Sequence, residues 1–461
     1  MARLTPDPTL YPTVRDAIKS PPEDVAYVAA LYVGTGVEEP DFLAVVDVDP
    51  SSATYGKIVY KLPLPYIGDE LHHFSWNACS SAYCPNARPF LERRYLIVPG
   101  LKSSRVYIVD TKPDKRRPSI HKIVEPKVAV EKTGYTKYHT VHCGPDAIYI
   151  SALGGPDGRG GPGGVLLLDH NTFEPLGRWE VHRGPQFYAY DFWWNLPSGV
   201  MISSEWTTPE CFENGFSPEC LAAGKYGHKL HVWDLGRRRH LYSIDLGEEH
   251  RMVLEVRPLH DPTKLMGFVN VVVSTKDLSS SIWLWFPEDG RWHAEKVIEI
   301  EAQPSEGPLP PPLKDLKTVP PLVTDIDVSL DDRFLYVSLW GLGELRQYDI
   351  TNPHQPRLAG RVKIGGILHR EPHPSGAEAT GAPQMISVSR DGRRVYITNS
   401  LYSSWDNQFY PGLRGWMAKI NVNPEGGLEL DKSFFVDFGR AKAHQVRLWG
   451  GDASTDSFCF P

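Results

Sequence analysis

Short apolar runs alternate with polar turns along almost the whole chain, which is the pattern of many short β-strands. The clearest case is a repeated unit, Asp325–Ser338 and Met385–Thr398. In each copy an alternating apolar stretch is followed by an Asp-containing turn and a second such stretch, with Tyr336 and Tyr396 at equivalent positions. Each unit therefore predicts a β-hairpin.

Weaker copies of the second hairpin strand recur at intervals: Tyr95–Val98, Ile148–Ser151, Val200–Ser203 and Phe268–Val271. A further strand, usually ending on Asp, follows in each repeat: Val106–Asp110, Val165–Asp169, Leu230–Asp234, Ile282–Phe286, Leu345–Asp349 and Met417–Val422. Repeats of three or four short strands bury their two apolar faces only against neighbours, as in a β-propeller.

The two ends of the chain complete the repeat. Val25–Tyr32 and Phe42–Asp47 form a seventh pair that lacks an inner strand, which His444–Trp449 can supply. Pairing N- and C-terminal strands in one blade closes the ring and removes open sheet edges. The alternative fold, a pair of β-sandwiches, would not predict a single type of repeat from one end of the chain to the other. We predict an all-β seven-bladed β-propeller over 25–461, an N-terminal tail at 1–24, and long loops at about 301–321 and 365–383.

Composition narrows the possible partners and location. A net charge of −7 and a pI near 6.2 argue against a nucleic-acid or anionic-membrane partner. The chain has no run of about 18 apolar residues that would span a membrane. Met1–Pro8 lacks the apolar core of a secretory signal, and six Cys are too few for a disulfide scaffold. We therefore expect a cytoplasmic protein with reduced thiols.

Histidine and carboxylate residues are concentrated where the innermost strands begin. In a propeller these positions meet at one mouth of the central channel, and neutral imidazole is the commonest metal ligand. The sequence therefore predicts a metal site, with copper, zinc or iron as the metals that such ligands suit. Glu255 would be a ligand or would orient an imidazole. The candidate ligands are His72, His73, His139, His142, His260 and His444.

Two features leave alternatives open. His139 and His142 are three residues apart, which in a regular strand places them on opposite faces, so only one would be a ligand and the other would bond a neighbouring blade. Cys79 follows the His72–His73 pair, and a nearby metal or imidazolium would lower the pKa of its thiol and make it reactive. Otherwise it is an inert buried thiol.

Several motifs resemble those of the selenium-binding protein family, whose members include methanethiol oxidases, from about Asp41 to Asp456. They are Ala44–Val48, Asp69–His73, Trp76–Ser81, Tyr190–Trp193, Ser204–Trp206, Leu330–Tyr336, Gly381–Ile386, Leu401–Asp406 and Ala443–Arg447. The family's selenium-binding cysteine corresponds to Cys79, whereas Ala82 stands where animal and plant members have a second Cys.

The resemblance implies a copper-dependent oxidase that converts methanethiol, O2 and water to formaldehyde, hydrogen sulfide and hydrogen peroxide. We expect Cys79 and Glu255 to be the catalytic residues, and a small thiol, O2 and selenium species to be the partners. The alternative is a non-catalytic propeller that binds selenium or proteins. A lactonase-like hydrolase would need an oxygen-rich calcium site, which the excess of histidine disfavours.

Overall fold

The structure, a computed structural model, describes residues 7–85, 87, 91–305 and 307–461. These residues form seven four-stranded antiparallel sheets, the blades of a β-propeller. From the channel outwards, blade 1 has Ser75–Trp76, Tyr95–Gly100, Arg105–Asp110 and Ser119–Val124, and blade 2 has Thr136–Cys143, Ile148–Gly154, Gly164–Leu168 and Pro175–Arg178. Blade 3 has Phe192–Asn195, Val200–Ser204, Lys229–Asp234 and Arg239–Asp245, and blade 4 has His250–Pro258, Gly267–Ser274, Ser280–Glu288 and Arg291–Ile300. Blade 5 has Val323–Val328, Phe334–Leu339, Glu344–Asp349 and Arg357–Lys363, and blade 6 has Ile386–Val388, Arg394–Thr398, Trp416–Val422 and Leu428–Asp437.

Blade 7 is made from both ends of the chain. Its innermost strand is Lys442–Leu448, followed outwards by Val25–Leu31, Phe42–Asp47 and Ile58–Pro63. The antiparallel register places Ala26 opposite Leu448. The predicted fold and its ring closure are therefore confirmed.

Burial explains why the strands are strongly apolar near the axis. All seven residues of Val25–Leu31 are buried, whereas the outermost strand Ser119–Val124 is largely exposed or half-buried. One apolar cluster joins Leu43 of blade 7 to Leu96 of blade 1, so neighbouring blades share a core. The ring is one cooperative unit for this reason.

Helices and loops occupy the rims. The α-helices of the described residues are Val14–Ile18, Pro126–Thr133, Pro209–Phe212, Pro218–Ala222 and Ser403–Phe409, with 3-10 turns at Ser80–Tyr83 and Pro311–Leu313. The loop predicted at 301–321 contains one short ladder, Gln303–Pro304 with Thr318–Val319; its residue 306 lies outside the described residues. Of the predicted tail, residues 1–6 also lie outside them, and Val14 packs on blade 6.

The cysteines differ from the expectation of reduced thiols, which was wrong for four of the six. Cys84 is disulfide-bonded to Cys459, and Cys211 to Cys220. The first pair joins positions 375 residues apart that the closed ring brings together, so chain spacing gave no sign of it. Cys79 and Cys143 are free and buried. Across the described ranges, no helix has the length and apolar character needed to cross a lipid bilayer.

Candidate metal centre

Four imidazoles from three blades meet at one end of the channel. The ring centroid of His72 lies 4.0 Å from that of His444 and 4.6 Å from that of His139, and His73 lies 4.2 Å from His139. The nitrogen atoms through which His72, His73 and His139 could bind a metal are all within 4.8 Å of one another. All four side chains are buried.

Local irregularity allows adjacent residues to share this site. His72 and His73 lie before the ladder strand Ser75–Trp76, so strand alternation does not force them to opposite faces, and their rings stack at 5.0 Å. In blade 2 the register shifts between Tyr138 and Val141, which turns His139 towards the channel.

The imidazoles are held in the neutral form that binds metals. Burial and the neighbouring histidines lower the pKa of His72 and of His73 well below its ordinary value. Burial first, then His444, lowers the pKa of His139 to about 3, and burial lowers that of His444 to about 4. Desolvation disfavours the imidazolium in each case.

Each imidazole presents a buried nitrogen that has no hydrogen-bond partner among the described residues. His444 Nδ1–H donates to the Ser400 carbonyl at 2.7 Å, which leaves the Nε2 lone pair free. His139 Nδ1 is hydrogen-bonded to Thr140 Oγ1 at 2.7 Å. Among the described residues, nothing hydrogen-bonds the following buried atoms: His72 Nδ1, His73 Nε2, His139 Nε2 and His444 Nε2. Converging, neutral and unpartnered imidazole nitrogens fit a cation of the copper, zinc or iron class.

Glu255 borders the cluster. Its Oε1 lies 3.9 Å from His73 Nδ1, and its Oε2 accepts a hydrogen bond from Arg257 Nη2 at 2.8 Å. Burial raises the pKa of Glu255 well above its usual value, although Arg257 opposes the shift. Arg257 also donates to Asp191 at 2.8 Å, so the guanidinium fixes both carboxylates.

Aromatic rings also border the cluster. The centroid of Tyr190 is 4.4 Å from that of His139, and Tyr402 is 6.0 Å from His72. Trp206 lies 5.6 Å from Tyr190, and Phe212 lies 5.4 Å from Tyr402. All four are buried, so this part of the surroundings is aromatic and shields the imidazoles from water.

His142 and His260 are placed elsewhere. His142 Nε2 donates to Asp191 Oδ1 at 3.0 Å, and its ring packs on Trp193 at 3.9 Å. His260 is bonded through both ring nitrogens, to Asp332 Oδ1 at 3.3 Å and to the Ala453 carbonyl at 2.7 Å. In the part of the chain that the structure describes, neither ring contacts the four clustered imidazoles. Of the two blade 2 histidines, His139 lies in the cluster and His142 bonds Asp191; that only one of them is a metal ligand stays a prediction.

Cys79 is not beside the imidazoles, contrary to what its sequence position indicated. His72 N–H bonds the carbonyl of Pro99, whereas Asn77 N–H bonds that of Tyr95, at the other end of Tyr95–Gly100. Pro99 and Tyr95 are four residues apart, so Asn77 lies about 13 Å along the strand direction from His72, and Cys79 follows Asn77 in the chain. Its sulfur contacts Cys143 and Ser81 instead.

Two further residues of the site were not identified from the sequence. Arg257 is two residues from Glu255 in the innermost strand of blade 4, and this alternation is the signal that could have placed both in the channel. Thr140 contacts both His139 and His73, at 2.7 and 3.4 Å. A single Thr in a strand carries no comparable signal.

Comparisons with known proteins agree with this architecture. Residues 4–459 match the family model described as 56kDa selenium binding protein (SBP56). The chain is 44% identical to a Xenopus tropicalis protein named methanethiol oxidase and 41% identical to mouse selenium-binding protein 2, with 97% of each chain covered in both cases.

A solved structure is similar over nearly the whole chain. It is a hypothetical selenium-binding protein from Sulfolobus tokodaii, 67% identical, with a TM-score of 0.97 and coverage of 99% of this chain and 100% of that one. The periplasmic gluconolactonase of Pseudomonas aeruginosa, 12% identical with a TM-score of 0.56, shares the fold alone. The chain therefore belongs to the 56-kDa selenium-binding protein family.

Proposed function

We propose that this protein is a copper-dependent methanethiol oxidase that converts methanethiol, O2 and water to formaldehyde, hydrogen sulfide and hydrogen peroxide. The observation that carries the proposal is the set of buried, neutral imidazole nitrogens that have no hydrogen-bond partner among the described residues and lie next to aromatic rings. Full-length relatives that are named methanethiol oxidase support the same substrate.

The metal would be held by His72, His73, His139 and His444. Copper, when bound, supplies the electron transfer to O2 that zinc, with no redox chemistry, cannot supply. We prefer copper to iron because four imidazoles meet at the site, whereas Glu255 Oε1 lies 3.9 Å from His73 Nδ1, at the edge of the cluster.

The surrounding side chains have separate tasks. Tyr190, Trp206, Phe212 and Tyr402 provide the apolar surface that a methyl group needs, and they keep bulk water from the site. Glu255 Oε1 is the atom that we assign to proton transfer, because it is buried, near His73 and unpartnered among the described residues. Arg257 holds the other oxygen and orients the carboxyl group.

The test combines metal analysis of purified protein with an oxygen electrode and product assays on methanethiol. We expect copper to be bound and O2 uptake to depend on it. His444→Ala should lose both, because it removes one imidazole from the cluster. The control His354→Ala changes an exposed histidine paired with Glu295 and should retain both. Copper-replete protein that consumes no O2 with methanethiol would refute the oxidase.

The second candidate is a non-catalytic selenium carrier. The family name and the free, buried thiol of Cys79 favour it. It predicts that His444→Ala leaves selenium binding unchanged, and that methanethiol supports no O2 uptake at any copper loading.

We place either activity in the cytoplasm as part of the proposal. Reducing thiols would attack exposed disulfides there, but Cys84 and Cys211, one sulfur of each bridge, are buried. Fractionation of cells with a cytoplasmic marker enzyme tests the location.

A further inference from the structure

An apolar pocket of about 220 Å³ lies beside the aromatic rings that border the imidazoles. The described residues that line it are all apolar, and they include aromatic rings and the side chain of Met252. Leu316 at its wall is exposed, so the pocket reaches the surface. Two other clefts, each of about 340 Å³, are lined in part by charged side chains, among them Arg440 in one and Asp437 in the other. The apolar pocket therefore suits a neutral ligand, since a charged one would lose hydration without gaining a partner.

Two elements place this pocket close to the imidazoles. Trp405 lines the pocket, and Tyr402, three residues earlier in the chain, lies 6.0 Å from His72 between ring centroids. Met252 also lines the pocket, and Glu255, three residues further along the same strand, borders the cluster. Three residues of strand extend no more than about 10 Å. The pocket and the cluster are therefore separated by about one layer of side chains.

Aromatic rings form that layer. The ring centroid of Trp405 lies 5.8 Å from that of Trp206, which lies 5.6 Å from that of Tyr190. Tyr190 in turn lies 4.4 Å from His139, and on the pocket side Phe216 lies 5.4 Å from Trp405. A continuous series of ring contacts thus connects the pocket to the imidazoles. Sulfur atoms make favourable contacts with aromatic rings, so this surface suits a ligand that contains sulfur.

We propose that the pocket is an outer binding site for neutral alkyl thiols, at which methanethiol leaves water before it reaches the clustered imidazoles. The assignment rests on the proposed function and adds a second place at which its substrate binds. A water molecule needs about 10–15 Å³ of such space. The pocket is therefore larger than methanethiol requires, and it also admits longer alkyl thiols, whereas it excludes thiols that carry a charge.

The binding test follows the ¹³C-labelled methyl groups of the six methionines in the folded, metal-loaded protein. Ascorbate without O2 keeps bound copper diamagnetic. The probe is dimethyl sulfide, a neutral methylated sulfur compound without a thiol that could reduce the disulfide Cys211–Cys220 beside the pocket. We expect the Met252 resonance to shift saturably and that of Met417, buried in blade 6, to stay unchanged. Methanesulfonate, which carries a charge on its sulfur group, should leave Met252 unchanged.

Leu221→Trp tests whether the pocket serves the substrate. Leu221 is a half-buried residue of the pocket wall, so an indole at this position fills the space without entering the imidazole cluster. We expect loss of the Met252 shift and a fall of about tenfold in kcat/KM for methanethiol, with kcat and copper content retained.

Two further variants are the controls. Leu221→Ala leaves the pocket open and should keep the Met252 shift. Leu358→Trp adds the same indole at an exposed position on the outermost strand of blade 5 and should behave like wild type. An unchanged Met417 resonance establishes that each variant is folded.

Three results would overturn the proposal. They are a Met252 resonance that dimethyl sulfide does not move, an equal shift with methanesulfonate, or a Leu221→Trp variant that loses the shift but keeps the kcat/KM of wild type. The two proposals fail separately. A saturable Met252 shift in protein that consumes no O2 with methanethiol refutes only the oxidase, whereas O2 uptake without the shift refutes only the outer binding site.

Discussion

The disulfide Cys84–Cys459 should contribute more to the free energy of unfolding than the disulfide Cys211–Cys220 does. It closes a loop of 375 residues, whereas Cys211–Cys220 closes one of nine. In the chain-entropy description, the cross-link lowers the conformational entropy of the unfolded chain by about 20 cal/mol/K for Cys84–Cys459 and by about 9 cal/mol/K for Cys211–Cys220. At 25 °C these values correspond to about 6 and about 2.6 kcal/mol.

The perturbation is a pair of double variants, C84A/C459A and C211A/C220A, compared with wild type. A chain of 461 residues unfolds with an entropy of about 970 cal/mol/K, so we expect the Tm to fall by about 6 °C and about 3 °C respectively. Scanning calorimetry without reductant measures both, and guanidinium titration gives the free energies.

The reasoning is refuted if C211A/C220A loses as much stability as C84A/C459A. It is also refuted if wild type in reductant keeps the Tm of the oxidised protein while mass spectrometry shows both bridges broken. Either outcome would mean that loop length does not decide the stabilisation.

Two further predictions concern the clustered histidines and the two free thiols. The free energy of unfolding of the metal-free protein should decrease as the pH falls from about 6.5 to about 4. His139 and His444 stay neutral in the folded protein over this range but take up protons in the unfolded chain. The expected decrease is up to about 1.4 kcal/mol per pH unit for each histidine. Denaturant titrations across that range check the slope, and His139→Gln should reduce it. C84A/C459A should make iodoacetamide alkylate the buried thiols of Cys79 and Cys143 faster, by about tenfold for each 1.4 kcal/mol removed from the free energy of the local opening that exposes them. C211A/C220A is the matched control, and an unchanged rate in C84A/C459A would contradict the prediction.

Much of the fold could be predicted because its signals are local. The hairpins Asp325–Ser338 and Met385–Thr398 carry strand alternation and turn residues within fourteen positions, and both were found. Blade 7 could be predicted because a missing inner strand at one end of the chain matched an unpaired one at the other.

The site could be predicted only in part, because its geometry depends on departures from regular strands. His72 and His73 share one cluster since they precede the ladder, which alternation alone does not reveal. His260 follows the innermost strand of blade 4, but there the chain turns to Asp332 and the C-terminal segment. Cys79 is close to His73 in sequence, yet an extended backbone carries it to the far end of the blade.

The construction of blade 7 also determines when the protein can become active during its synthesis. His444 is on a strand that follows blades 1 to 6 in the chain, so during synthesis the fourth imidazole joins the other three only after those blades have emerged. Until then the first strand, Val25–Leu31, has an unpaired edge that a chaperone would need to shield. Nascent chains truncated before Lys442 would therefore carry three of the histidines but no closed channel in which to hold a metal.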